Sequence, residues 1–120
     1  MMSETASEAI VIKRLEDVHI IEFIVTGLTD QAAIQAVGNE IEQLVDKLGQ
    51  PKIVIDFGGL LNVSSAMLGV LISVNKKVQT LKGEMRLSGV PKPIMEVFKL
   101  TRLDKILKIY DTTDQATTRF

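Results

Sequence analysis

The sequence predicts an α/β fold, a mixed β-sheet with helices packed mainly on one face. Three observations carry that expectation. Short runs rich in Ile and Val, at 9–15, 18–25 and 52–57, have the composition of strands. Between such runs, apolar residues recur at steps of three and four, the spacing of an amphipathic helix. Strand-like and helix-like segments alternate after an opening pair of strands, which implies parallel crossovers.

The elements follow in order. Residues 1–8 (MMSETASE) are polar and acidic and read as a flexible tail, with 9–120 a single domain. The first two strand runs are separated by Glu16-Asp17, which makes them a hairpin. The second run is apolar nearly throughout, as a more central strand should be. Gly27 to Thr29 breaks the pattern, and Thr29 or Asp30 has the short oxygen-bearing side chain of a helix cap. Ile34, Val37, Ile41, Leu44, Val45 and Leu48 then form one apolar face of a helix about five turns long. Gly49 is placed to stop it, and Pro51 prevents continuation. Lys52–Phe57 (KIVIDF) is a short strand with Asp56 at its end, and 58–63 reads as a loop.

The next helix starts at Ser64 or Ser65, with a stripe at Leu68, Leu71, Ile72, Asn75, Val78 and Leu81. Lys76, Lys77 and Lys82 gather toward its C-terminal end, where a cation complements the helix dipole, and Gly83 ends it. Residues 84–88 (EMRLS) alternate as a strand does. Pro91 and Pro93 open a third helix, with Ile94, Val97 and Phe98 inward. Residues 103–110 are a helical turn followed by a strand, or one of the two. Residues 111–120 are a final capped helix or a loose tail.

Composition excludes much chemistry. The 120 residues are 46% apolar, enough for a core, so disorder is excluded. Lys plus Arg number 14 against 15 Asp plus Glu, a net charge of −1, so no basic excess points to nucleic acid. The chain has no cysteine, which removes disulfides, thiolate metal sites and thiol catalysis. Its one histidine, His19, builds neither a histidine metal site nor, by itself, a catalytic triad. No secretory pattern is present and no apolar run approaches the ~20 residues of a membrane span, so the expected location is cytoplasmic.

Among single residues, Ser73 and Lys76 match an S-x-x-K pattern, but in mid-helix and without its companion motifs. Gly58-Gly59 lies outside any phosphate-cradling frame. Met67, Met85 and Met95 fall on inward or half-inward positions. His19 reads as a polar position in an alternating strand. Asp56 is either a ligand-contacting residue at the carboxyl end of a strand, where sites of α/β sheets collect, or a turn residue bonding the loop backbone after it. Ser64-Ser65 opens a helix, where up to four amides lack partners and the dipole is positive. A hydroxyl there serves as a plain cap, or as a phosphoacceptor whose added charge the helix end tolerates.

Residues 53–71 (IVIDFGGLLNVSSAMLGVL) resemble the core signature of STAS domains, particularly bacterial anti-sigma-factor antagonists: an apolar strand ending in Asp, a short loop, then D-S-S-G-L-G-V-L opening a helix. Alignment through Leu68-Gly69-Val70-Leu71 sets Ser65 at the family's phosphorylated serine and Asp56 at its strand-end aspartate. Gly27-Leu28-Thr29-Asp30 resembles the G-x-L-D before the first helix. Residues 83–89 (GEMRLSG) and 97–107 (VFKLTRLDKIL) resemble later family segments, so the likeness runs over roughly 9 to 115. The sequence departs from the pattern at Ser64, which replaces an aspartate, and at Ala66 and Met67. A one-residue slide makes Ser64 the acceptor.

The resemblance implies a binding switch with no catalytic residue, no metal and no cofactor. The implied partners are an anti-sigma factor of the serine-protein-kinase type and a phosphatase, with neither nucleic acid nor membrane insertion, and with room for a weak homodimer. The implied docking residues are Asp30, Asp56, Asn62, Ser64, Ser65 and Met67, with Ser65 (alternatively Ser64) phosphorylated. The departures motivate a rival reading, a STAS scaffold or accessory protein without a phosphoryl cycle, such as a stressosome-like component or a soluble transporter partner. An enzyme using Asp56 and the serines lacks a base, a metal set and a phosphate loop in the sequence.

Overall fold

A computed structural model describes residues 9–118 and 120; the tail expected at 1–8 lies outside the described residues. Strands β1 (Ile10–Leu15) and β2 (Val18–Phe23) form the expected antiparallel hairpin, with Ile10 opposite Phe23 and Leu15 opposite Val18. Its turn sets Glu16 in the left-handed region at φ 57°, and the Arg14 Nε donates to the Glu16 carbonyl at 2.7 Å. Strands β4 (Lys52–Asp56), β6 (Glu84–Ser88) and β7 (Lys108–Tyr110) add in parallel to β2, giving a mixed sheet in the order β1-β2-β4-β6-β7. The apolar second run is indeed central, between β1 and β4. It ends at Phe23, and Ile24 points into solvent.

Two further strands were not expected from the sequence. Gly27–Leu28 (β3) and Asn62–Val63 (β5) pair in parallel as a separate two-stranded ladder. Residues 58–63 are therefore not all loop. Two-residue strands carry no periodic signal, so only the tertiary pairing reveals them.

Helices α1 (Gln31–Lys47) and α2 (Ser65–Thr80) pack on one sheet face with α3 (Lys92–Leu100). Ile21, Ile53, Ile55 and Leu87 of the sheet meet Ile34, Val37, Ile41, Leu71, Val74, Ile94 and Phe98 of the helices in one core. The α2 stripe differs in part from expectation: Met67 and Val74 are buried, whereas Ile72 and Leu81 are half-buried. Phe57 stands edge-on between Phe23 and Phe98, with ring centroids 5.2 and 6.0 Å away, beneath the loop that follows β4.

The glycines at the helix ends act differently from expectation. Leu48, not Gly49, caps α1. After α2 the left-handed position falls on Lys82, at φ 61°. Gly83 is needed for another reason: a Cβ there would stand 2.1 Å from the Pro51 carbonyl oxygen.

The second sheet face is covered by α4 (Thr113–Thr117), which follows a 3-10 turn at Leu103–Lys105 and strand β7. Both readings left open near the C-terminus thus resolve, to turn plus strand and to a capped helix with Thr112 as the cap. Val18, Ile20 and Val54 meet Ala116 there, flanked by Tyr110 and Phe120. Arg86, buried in β6, organises this face. Its Nη1 donates to the Ala116 and Thr118 carbonyls at 3.0 and 2.8 Å, its Nε donates to Glu84 at 2.6 Å, and its guanidinium lies 4.1 Å from the Phe120 ring centroid.

Glycine substitutions test the close approach of the α2–β6 turn to Pro51. Gly83→Ala is expected to destabilise by about 2 kcal/mol or more, because backbone must move. Gly49→Ala, with nothing within 4 Å of the added carbon, is expected to stay within about 0.5 kcal/mol. Urea midpoints of the two variants make the comparison.

Candidate functional site

The carboxyl ends of β2 and β4 lie at one edge of the sheet, and the chain from each crosses into a helix there. The β3–β5 ladder ties the two crossings together: Gly27 pairs with Asn62 and Leu28 with Val63, and the Leu61 amide donates to the Thr26 carbonyl at 2.6 Å. A Cβ at 27 would meet Asn62 Oδ1 at 2.8 Å, so the exposed Asn62 side chain lies close over Gly27 and would have to turn away from any larger residue. Asp30 follows β3 after Thr29 and Ser64 follows β5 directly, so the ladder sets two helix N-termini on one rim.

Asp30 caps α1, its Oδ2 accepting from the Ala33 amide at 2.9 Å. Ser64 caps α2 in extended backbone geometry, its Oγ accepting from the Met67 amide at a long 3.4 Å. Ser65 is the first helical residue and is exposed, whereas Ser64 is half-buried. The two serines that the sequence left interchangeable are thus distinct in place: one faces its own helix, the other faces water. Asn62 and Asp30 are exposed beside them, with Leu61 58% exposed, a large apolar side chain presented on the same loop.

Asp56 is half-buried at the base of the loop. Its Oδ1 accepts from the Gly58 amide at 2.8 Å and its Oδ2 from the Thr113 hydroxyl at 3.0 Å, so the turn reading describes what its carboxylate does. The turn itself closes by Leu60 N donating to the Phe57 carbonyl at 3.0 Å, with Gly59 at φ 96° supplying the left-handed residue of a type II turn. Met67, expected on the docking surface, is fully buried in the core beneath this loop and presents nothing to a visitor. It lies one turn in from Ser64, on the helix face turned to the sheet; the stripe drawn from Leu68 onward omitted it.

Away from the rim, a groove of about 290 Å³ runs between α1 and α2. Gln31, Gln35 and Gly38 line one wall and Ala66, Gly69 and Ser73 the other. It begins next to Ser65. Gly38 lets the helices close up, since a Cβ there would sit 3.3 Å from Val70. Ser73 and Lys76 stand in mid-helix on α2. Among the described residues no cluster of His, Asp or Glu is arranged to hold a metal ion, and no helix is long and apolar enough to cross a membrane.

The STAS domain family model matches residues 9–116. The chain belongs to the STAS domain family. This STAS domain is 29% identical over 94 residues to BtrV of Bordetella bronchiseptica, named as a candidate anti-sigma factor antagonist, a match covering 78% of this chain and 80% of that protein. Its fold is similar to the crystal structure of a candidate anti-sigma factor antagonist from Thermotoga maritima, with a TM-score of 0.81 at 24% identity over 91% of this chain and 92% of that one. The Bacillus cell fate determinant SpoIIAA in its phosphorylated form superposes with a TM-score of 0.68 at 16% identity, over 92% of this chain and 98% of that one.

At the opposite pole of the STAS domain, His19 faces Arg14 across the hairpin and lines a cavity with Glu40, Leu44 and Lys47. Burial lowers its pKa from the ordinary 6.5, and the Arg14 charge adds to the effect. Its buried Nδ1 has no hydrogen-bond partner among the described residues, consistent with a neutral ring.

Two measurements follow from this geometry. Ser64→Ala is expected to cost about 0.5 to 1 kcal/mol through the lost cap, and Ser65→Ala close to nothing, in thermal or urea unfolding. Because the folded protein holds His19 neutral, the unfolded chain binds its proton first. Stability is therefore full above the unfolded value of 6.5 and declines as pH falls below it, until the folded ring also titrates. His19→Gln is expected to flatten unfolding midpoints between pH 7.5 and 5.5.

Proposed function

We propose that this chain, as a single STAS domain over 9–120, is a cytoplasmic anti-sigma-factor antagonist. It docks onto an anti-sigma factor of the serine-kinase type and so frees a sigma factor. Phosphorylation of Ser65 ends the complex, and a phosphatase restores it. One observation carries the reading: an exposed serine at the first position of α2, its neighbour already occupied with capping, on a rim shared with the N-terminus of α1. The relatives named as antagonists, and the existence of a phosphorylated SpoIIAA of the same fold, support it.

The physics of that position suits a switch. A phosphate adds about −1.5 to −2 charges and three acceptor oxygens. At a helix N-terminus the unpaired amides and the dipole favour such charge, so the fold survives modification. A partner packed over Asn62, Leu61 and the first turn of α2 meets the same charge in a desolvated contact, where an unpaired ion is strongly unfavourable. The affinity falls while the antagonist stays folded. Asp30, Asn62, Ser64 and Ser65 form the docking rim, with Asp56 holding its base.

The test uses the anti-sigma kinases of the native cell. Binding by calorimetry is expected and is retained in Ser65→Ala, whereas the mass gain of one phosphate with ATP is abolished by Ser65→Ala and retained in Ser64→Ala. Ser65→Asp is expected to weaken binding at least about tenfold, or about 1.4 kcal/mol. Absence of binding to every such kinase would sink the proposal. The Ser64, Ala66 and Met67 departures favour the scaffold reading in one circumstance: protein from the native cell carries no phosphate and runs as a stable homo-assembly or with a transporter component.

A further inference from the structure

Thr113 belongs to α4, on the sheet face opposite α1 and α2, yet its side chain reaches the base of the rim. Its Oγ1 donates to Asp56 Oδ2 at 3.0 Å and lies 2.8 Å from Ser88 Oγ. A hydroxyl has one proton to give. With the Thr113 proton on the carboxylate, the fully buried Ser88 is the donor to Thr113. Asp56 Oδ1 meanwhile takes the Gly58 amide at 2.8 Å. Two donors thus converge on the Asp56 carboxylate: a directional chain from Ser88 through Thr113 ends on Oδ2, and the amide of Gly58, second residue of the Phe57–Leu60 turn, ends on Oδ1.

The carboxylate is crowded from both sides by backbone. A Cβ at Gly58 or at Gly89 would lie 3.1 Å from Asp56 Oδ1, so neither neighbour tolerates a side chain without displacing it. The position of α4 is equally determined. A five-residue helix is too short to hold itself, and Arg86 anchors its far end through the Ala116 and Thr118 carbonyls.

We infer that Thr113 is a positioning residue: α4, on one face of the sheet, sets the 57–63 loop and with it the hydroxyls at the start of α2. The terminal torsion of an Asp side chain is broad, so one bonded oxygen does not orient the carboxylate. The Thr113 bond on Oδ2 fixes the plane and points Oδ1 at Gly58. Without it the carboxylate turns toward water and the turn loses its anchor. The consequence for partner docking rests on the reading under Proposed function; the positioning itself does not.

The experiment is amide exchange by NMR on the full chain. Thr113→Val replaces the hydroxyl by a methyl of similar size. Exchange at Gly58 and Leu60 is expected to quicken about tenfold, the scale of a lost hydrogen bond to a charged group, with Ile21 and Ile55 in the central strands unchanged. Thr113→Ser is expected to restore the slow rate, and Ser88→Ala to shift it in the same direction by less. An unchanged rate at Gly58 and Leu60 in Thr113→Val, or a faster rate that Thr113→Ser leaves in place, overturns the inference. If Thr113→Val also loosens the central strands, Ser88→Ala decides by the same two readouts. Anti-sigma binding measured alongside separates the two readings: wild-type protein that binds no such kinase removes the proposed function and leaves the exchange result standing.

Discussion

Two residue pairs, Gly27 with Asn62 and Leu28 with Val63, hold the candidate site in one piece. Each belongs to a crossing from strand to helix, and each crossing alone would leave its helix free to start anywhere along the sheet edge. Paired, they bring the capped ends of α1 and α2 onto a common rim. The hydrogen-bonded pairing carries the constraint, and the Asn62 side chain lies close over Gly27. Leu28, 3% exposed, plugs the same junction from beneath, so the ladder is also part of the core.

Below the rim the packing is layered. The edge-to-face series Phe23, Phe57, Phe98 lies under the turn and joins β2, the post-β4 turn and α3. Met67, fully buried, takes its place in the same core. The outward groups of the rim include Asp30, Leu61, Asn62 and Ser65, short, polar or singly apolar. Ser65 stands exposed on that rim, outside the core.

The other sheet face combines a small apolar cluster with a buried charge. Arg86 is buried but engaged by Glu84, by the carbonyls of Ala116 in α4 and of Thr118 just after it, and by the Phe120 ring. Burial pushes the Glu84 carboxyl up, but its bonds to Arg86 and Lys108 outweigh this and hold it below the ordinary range. That arrangement fixes α4, a helix with one buried apolar residue, Ala116, which packing alone would hold weakly.

The periodicity of 31–48 and 64–81, the Val- and Ile-rich runs and the short capping side chains are local properties, and each was legible from the chain. So was the family, through the strand–loop–SSA–helix stretch. What depends on distance in sequence was not. The β3–β5 ladder joins residues 35 apart in two-residue strands, too short to leave a pattern. The division of labour between Ser64 and Ser65 follows from which one falls at the cap, a matter of a single residue that helix-start signals do not resolve. Met67 read both as an inward position and as a docking residue, and the rotation of α2 against the sheet decides for the core. Thr113 meets Asp56 across 57 residues, and only the folding of α4 onto the second face creates that bond. Local free energies choose helix, strand and turn from neighbouring residues; which two turns share an edge is chosen by the closure of the whole core.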